Sequence, residues 1–156
     1  MAKPSISLCM ITKNEESFLE QCLKPVENIV DEIIIVDTGS TDKTKEIAKK
    51  FKAKIIDFKW NDDFSAARNE SIKHATKDWV LVLDADELID EEGLKTIKEL
   101  IKDKEADGFL FLQKNYTNET NIAGFVNENR KDNGETYAGW YGSFIARLFR
   151  NNKGYR

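Results

Sequence analysis

Apolar positions along the chain come in short blocks, each followed by a polar loop and a segment of helical periodicity. Ile6 to Ile11 is mostly apolar, Thr12-Lys13-Asn14-Glu15-Glu16 is polar, and Phe18, Leu19, Cys22, Leu23 and Val26 then recur at helical spacing. That order predicts a strand, a loop and a helix. It repeats three times. Glu32 to Val36 is β-branched and strand-like, Asp37-Thr38-Gly39-Ser40-Thr41 is a turn, and Asp42 to Phe51 is a helix capped by Ser40 or Thr41. Lys54 to Phe58 and Trp79 to Leu83 are the next strands, Phe64 to Ala75 and Asp90 to Lys102 the next helices, and Gly108 to Gln113 a fifth strand. Strands alternating with helices imply parallel pairing through right-handed crossovers, and strands apolar throughout imply a sheet covered on both faces. The expected architecture is a doubly wound, mostly parallel α/β sheet in a single domain. After Lys114 the texture changes: residues 115–142 are rich in Asn, Gly, Glu and Tyr without clear periodicity, and Ser143 to Phe149 reads as one more strand.

Composition narrows the chemistry. Acids (28) outnumber Lys plus Arg (24), so the net charge of −4 gives no general pull toward nucleic acid or anionic lipid, and any phosphate must be bound locally. The longest apolar runs fall far below the ~18–20 residues of a membrane span, and the N-terminus lacks a signal-peptide core; both predict a cytoplasmic chain. Cys9 and Cys22 stand apart and His74 is the lone histidine, so a zinc site of His and Cys is not expected and any metal must be held by oxygen.

Ligands bind parallel sheets at the carboxyl ends of the strands, and acidic residues gather at those ends in this chain. Asp37 follows the second strand, Asp62-Asp63 the third, and Asp84-Ala85-Asp86-Glu87 the fourth. Two acids one residue apart at a strand-to-loop bend can converge on Mg²⁺ or Mn²⁺, hard ions that also take phosphate oxygens. The competing reading is an acid-rich turn that only stops the strand. Gly39 and Ser40 suit a tight turn entering a helix, where anions bind, yet neither a Walker A loop nor a dinucleotide fingerprint follows any strand. Asp37 could accept hydrogen bonds from a base or ribose. Arg68, one turn into its helix, either reaches a nucleotide or is a solvated helix arginine. Trp60, Tyr137, Trp140 and Tyr141 either stack on a sugar or anchor their loops.

Four stretches together resemble the family 2 glycosyltransferases, which have the GT-A fold: Ile11 to Glu16, Asp31 to Asp42, Trp60 to Asn69 and Trp79 to Glu87. The resemblance implies that Thr12, Asn14 and Glu15 lie beside the nucleotide, that Asp37 contacts the base, and that Arg68 lies near the base or diphosphate. Asp84-Ala85-Asp86 matches the family's Asp-x-Asp signature, which implies Asp84 toward the ribose and Asp86 on Mg²⁺ or Mn²⁺, with both acids as the metal-binding pair. It further implies transfer from a nucleoside-diphosphate sugar, a UDP-sugar first, to the hydroxyl of an unknown glycan, lipid or protein acceptor, with inversion at the anomeric carbon. On this reading residues 1–114 are the nucleotide-sugar part and 115–156 the start of the acceptor side. Arg147 to Asn151 and Gly154-Tyr155-Arg156 resemble the approach to a downstream segment that supplies a further acid or histidine. The expectation is therefore a truncated piece, weak in transfer, whose catalytic base lies beyond residue 156 or among Glu128, Asp132 and Glu135.

Two other classes compete. A nucleotidyltransferase would carry a Gly-rich basic loop after the first strand, where Thr12-Lys13-Asn14-Glu15-Glu16 stands. A non-catalytic module that binds a nucleotide-sugar or a partner would show no transfer to any acceptor.

Overall fold

The computed structural model describes residues 3–132, 134–151, 153 and 154. Tyr155 and Arg156, part of the expected approach to a downstream segment, lie outside the described residues. The chain divides into two compact units, one of residues 1–109 with 147–156, the other of residues 110–146.

In the first unit the elements run β1 (Ile6–Thr12), α1 (Leu19–Val26), β2 (Glu32–Asp37), α2 (Thr44–Lys50), β3 (Lys54–Asp57), α3 (Phe64–Lys73), β4 (Trp79–Val82) and α4 (Glu91–Leu100). Two strands are shared with the second unit: β5 (Gly108–Thr117) starts in the first, and β7 (Glu135–Arg150) ends in it. The sheet order is β3-β2-β1-β4-β7. The pairs β3/β2, β2/β1 and β1/β4 are parallel, and the end of β7 runs antiparallel to β4, with Leu148 opposite Leu81 and Arg150 opposite Trp79. This is the doubly wound, mostly parallel sheet expected from the apolar runs.

Both faces are covered. Along β1 the neighbours Leu8 and Cys9 point to opposite sides, and both have no exposed surface. Cys9, Ile34, Val80 and Val82 form one core cluster, against which Ile56, Ile72, Ala75 and Phe149 pack, with α3 lying over β1 and β2. Trp79 is enclosed between Phe109, stacked at 5.6 Å, and the Arg150 guanidinium at 4.6 Å. Arg150 in turn donates to the carbonyls of Asp103 and Ala106. That arrangement holds the last turn of chain beside β4 and so fixes where Arg147 points. No helix among the described residues is long and apolar enough to cross a membrane.

The helices begin where caps allow. Asp63 and Asp90 accept from the backbone N–H groups of Ala66 and Gly93, the latter at 2.7 Å, and start α3 and α4. The expected start of α2 at Asp42 is corrected to Thr44, and neither Ser40 nor Thr41 caps it. Lys43 stands at the N-cap with no side-chain cap bond; Asp42, just before it, accepts from both the N–H and the hydroxyl of Thr44, while Ser40 and Thr41 are bonded to Asn14 of the β1–α1 loop.

The second unit corrects the expectation of irregular chain over 115–142. β5 extends to Thr117, β6 (Val126–Asp132) pairs antiparallel with β7, and Asp132 lies opposite Glu135 across Gly134, whose φ is +84°. Asn133-Gly134 between two strands is a strong hairpin signal in sequence. The strands escaped a hydrophobic pattern because polar and aromatic cross-strand contacts hold them. Trp140 Nε1 donates to Glu128 at 2.6 Å, Lys114 lies over the Trp140 ring at 4.6 Å, and Arg130 lies over Tyr116 at 4.5 Å. Gly139 is required there: a Cβ would stand 2.1 Å from the Val126 carbonyl oxygen.

Glu32 ties three segments of the first unit. Its carboxylate accepts from Ser7 Oγ at 2.5 Å and from Thr76 N–H at 2.6 Å. Burial alone would raise its pKa, but the Ser7 and Thr76 hydrogen bonds, with Lys77 nearby, outweigh that and hold it below the ordinary glutamate value. A depressed folded-state pKa contributes stability that is whole above the unfolded-state value and is lost as pH falls through the folded one. Glu32→Gln is therefore expected to lower the urea midpoint at pH 7 and to flatten its decline between pH 7 and 3. An unchanged decline would contradict this role.

Candidate functional site

The carboxyl ends of β1, β2 and β4 open into a cleft of about 420 Å³, within the range of small-molecule sites. Ile11, Thr12, Lys13 and Glu15 line it from the end of β1, Thr38 from β2, Trp60, Phe64 and Arg68 from the start of α3, and Asp84, Ala85 and Asp86 from the end of β4. Thr12, Glu15, Arg68, Asp84, Ala85 and Asp86 are thus brought together as the sequence predicted. Asn14 and Asp37 do not line the cleft.

These two build its wall instead. Asp37 Oδ1 accepts from the N–H groups of Gly39 and Ser40 at 3.1 and 2.9 Å, and Thr12 Oγ1 donates to Oδ2 at 3.3 Å. Its side chain is fully enclosed, with Lys45 Nζ 3.5 Å away. Burial would raise its pKa, yet the bonds from Ser40 and Gly39 and the charge of Lys45 keep it below the usual aspartate value. Gly39 sits at φ +109°, which only glycine adopts without strain. Asn14, itself at φ +58°, accepts from Thr41 N–H at 2.8 Å through its side chain and donates its own N–H to Ser40 Oγ at 2.9 Å. Glu15 N–H donates to Thr44 Oγ1. The β1–α1 loop is in this way stitched to the β2–α2 turn.

The opposite wall is an ionic network. Arg68 Nη2 donates to Asp84 Oδ1 at 2.6 Å, and Arg147 Nη2 lies 3.3 Å from Asp84 Oδ2 while also bonding Glu87 Oε1. Glu87 Oε2 accepts from the Asp84 N–H at 2.9 Å, closing a ring around the Asp84–Glu87 turn. Burial pushes the Asp84 pKa up, but Arg68 and then Arg147 overcome it and hold the carboxyl below its ordinary value. For Glu87 burial dominates and raises the pKa despite the Asp84 N–H and Arg147. Glu15 is raised as well, by burial and by the charges of Asp86, Asp42 and Asp84.

Arg147 was named from sequence only as part of the chain's last segment. Its side chain is 8% exposed, and it faces the site because β7 runs antiparallel beside β4, one register step past the Leu148–Leu81 pair. Only that non-local pairing reveals it. The three expected candidates for a base lie in the second unit, and each is engaged there: Glu128 by Trp140, Asp132 by Arg130, and Glu135 by Tyr137.

For a cation the donor set is sparse. Among the described residues no group of three or more His, Cys, Asp or Glu side chains could hold a metal. Asp86 is exposed, and no hydrogen bond or ion pair engages its carboxylate among the described residues, whereas Asp84 and Glu87 are matched by two guanidinium groups. One open carboxylate suits a hard ion that takes its remaining ligands from phosphate and water. Arg68 Nη1 is buried without a hydrogen-bond partner, a condition that costs about 1–3 kcal/mol unless an acceptor arrives.

The ionic ring makes a stability prediction. Arg147→Met leaves Asp84 and Glu87 short of a partner and is expected to cost about 2–3 kcal/mol in urea unfolding, below the loss for a fully buried pair because Asp84 is half exposed. A cost under about 0.5 kcal/mol, the level of an ordinary surface change, would show that the ring does not hold the turn.

Comparison with known proteins converges on one family. The family model described as glycosyl transferase family 2 matches residues 7–155. A TPR repeat-containing protein of Synechococcus elongatus is 41% identical over 150 residues, covering 96% of this chain and 32% of that protein. The SPbeta prophage-derived glycosyltransferase SunS of Bacillus subtilis is 40% identical over 92 residues, 58% of this chain and 22% of its own length. The chain thus spans a third or less of these two relatives. Among solved structures, S. aureus TarS 1-349 superposes with a TM-score of 0.55 at 28% identity, over 63% of this chain and 32% of that one. The mannosyltransferase PcManGT of Pyrobaculum calidifontis, solved with GDP-Man and Mn²⁺, shares the fold with a TM-score of 0.57 at 21% identity, over 69% of this chain and 35% of its own. With the sheet, the cleft at its carboxyl edge and the Asp84-Ala85-Asp86 turn in place, the chain belongs to glycosyl transferase family 2 and has the GT-A fold.

Proposed function

We propose that this chain is the donor-binding part of a cytoplasmic glycosyltransferase that moves a sugar from a nucleoside-diphosphate sugar, a UDP-sugar first, to an acceptor hydroxyl with inversion. The observation that carries the reading is the pairing, in one cleft, of an unengaged carboxylate on Asp86 with a guanidinium on Arg68 that has one nitrogen unsatisfied. The first suits a divalent cation, the second a phosphate oxygen; a metal-bound diphosphate meets both.

Asp86 would hold Mg²⁺ or Mn²⁺, with Asp84 behind it. When bound, the cation supplies stabilisation of the charge that develops on the leaving diphosphate. The chain's own residues do the rest. Asp84 keeps Arg68 turned into the cleft, and Arg68 donates to the diphosphate. Thr12 and Lys13 flank the nucleotide, and Glu15 adds negative charge beside Asp86. Asp37 serves the base through Thr12, whose hydroxyl it accepts, and Asn14 serves it by fixing the loop. A donor-binding module without transfer is the second reading, favoured by the engagement of Glu128, Asp132 and Glu135 within their own unit.

Calorimetric titration of UDP tests the proposal. Binding in Mn²⁺ is expected to weaken at least tenfold in EDTA and by a similar factor in Asp86→Ala, which stays folded because that side chain is exposed and unpaired. No binding of UDP, GDP or TDP to the folded protein would overturn the reading. Release of free sugar from UDP-sugars, or transfer to any acceptor, separates the enzyme from the module.

A further inference from the structure

Arg147 does not line the cleft, yet it pairs with Asp84, which does. Its side chain is 8% exposed at the end of β7, where Leu148 lies fully buried opposite Leu81 and the Arg150 guanidinium packs over the Trp79 ring. A guanidinium enclosed on a strand fixed this way has little freedom to turn away from its partners.

Those partners are the acids on either side of Asp86. Arg147 Nη2 lies 3.3 Å from Asp84 Oδ2 and bonds Glu87 Oε1, while Arg68 Nη2 donates to Asp84 Oδ1 at 2.6 Å. Both Asp84 oxygens are therefore taken by guanidinium groups, and a cation reaches Asp84 only by displacing one. Around the turn three carboxylates meet two guanidinium charges, which leaves one negative charge, on Asp86. Glu15 lines the same cleft, but no group of three or more acid, His or Cys side chains among the described residues could hold an ion. Mg²⁺ and Mn²⁺ require a full set of oxygen ligands, so Asp86 with water is a weak site for either. A diphosphate changes both sides of the balance: it brings further oxygens to the ion, and it gives Arg68 Nη1, buried without a partner, an acceptor.

We propose that Arg147, with Arg68, closes Asp84 and Glu87 to a free divalent cation, so that the site admits the ion only together with a diphosphate. The inference rests on the nucleotide-sugar reading and adds to it the species that the site selects, the metal–nucleotide complex and not the bare ion. A free dication faces two guanidinium groups across one open carboxylate. On a diphosphate the same ion arrives with its charge already offset, and the phosphates meet Arg68. Arg147 is a positioning residue that acts through Asp84 and Glu87, and its removal opens a cation site where a merely structural residue would only loosen one.

The test follows Mn²⁺ by its electron paramagnetic resonance signal on the whole chain, with and without saturating UDP, and on Arg147→Met and Arg147→Lys. For the unsubstituted chain, Mn²⁺ is expected to bind about a hundredfold more tightly with UDP than without, the upper range of coupling between two ligands. Arg147→Met should gain about tenfold in nucleotide-free Mn²⁺ affinity, the scale on which groups behind a metal ligand act, and Asp84→Asn added to it should remove the gain. Arg147→Lys, which keeps a cation at the turn, should bind bare Mn²⁺ as weakly as the unsubstituted chain. The urea midpoint of each variant shows whether it is folded, and the comparison on the unsubstituted chain decides the matter even if a variant is not. Nucleotide-free Mn²⁺ binding to the unsubstituted chain within about fivefold of that with UDP, or a folded Arg147→Met without the gain, would overturn the inference and leave the donor-binding reading intact. Failure of UDP to bind with Mn²⁺ present would sink both.

Discussion

The site depends on the placement of the Asp84 carboxylate between two guanidinium groups. Asp84 leaves the end of β4, Arg68 reaches it from α3 at 2.6 Å, and Arg147 from the last strand at 3.3 Å. A carboxylate half out of water at a strand terminus is stable when paired and satisfied. The pairing has three consequences. It consumes the charge of Asp84 and, through Arg147, of Glu87; it turns Arg68 toward the cleft; and it leaves Asp86, on the other side of Ala85, with no competing cation. Which of the two acids keeps an open carboxylate is set by what its neighbours already hold.

The rest of the first unit is built so that this turn stays put. Ala85 is 4% exposed and anchors the bend, and the Cys22 thiol meets the Asp84 carbonyl at 3.5 Å from beneath. Burial drives the pKa of Cys22 up to about 12, so it remains a neutral packing group. Across the cleft, Asp37 and Asn14 bind two loops into one wall. One wall of the cleft is thus built on loop hydrogen bonds gathered by the Asp37 carboxylate and the Asn14 amide, and the other on the ion pairs around Asp84.

Much of this was legible in the chain itself. Apolar strands followed by helical segments reported the parallel sheet, because both patterns are local and each element is buried through its own periodicity. The gathering of Thr12, Glu15, Arg68, Asp84 and Asp86 followed from the rule that parallel strands present their ends on one edge. What failed was non-local or polar. Arg147 lies more than sixty residues from Asp84 and faces it only because β7 runs back along β4. The strands of the second unit carry Lys114, Glu128, Arg130 and Trp140 at positions where a period-two apolar pattern was sought, although Asn133-Gly134 marked their hairpin. Asp37 was expected at the base by resemblance to the family; what sequence did not show is that its carboxylate accepts from two backbone N–H groups and a threonine hydroxyl and lies 3.5 Å from Lys45.

The most direct measurement is a crystal structure of the chain with Mn²⁺ and UDP, read for which carboxylate the ion touches. The clamp on Asp84 predicts the ion bound directly to Asp86 and the diphosphate, with Arg68 and Arg147 still on Asp84 and Arg68 Nη1 on a phosphate oxygen. An ion seated on Asp84 with the arginines displaced, or one bound without Asp86, would contradict it.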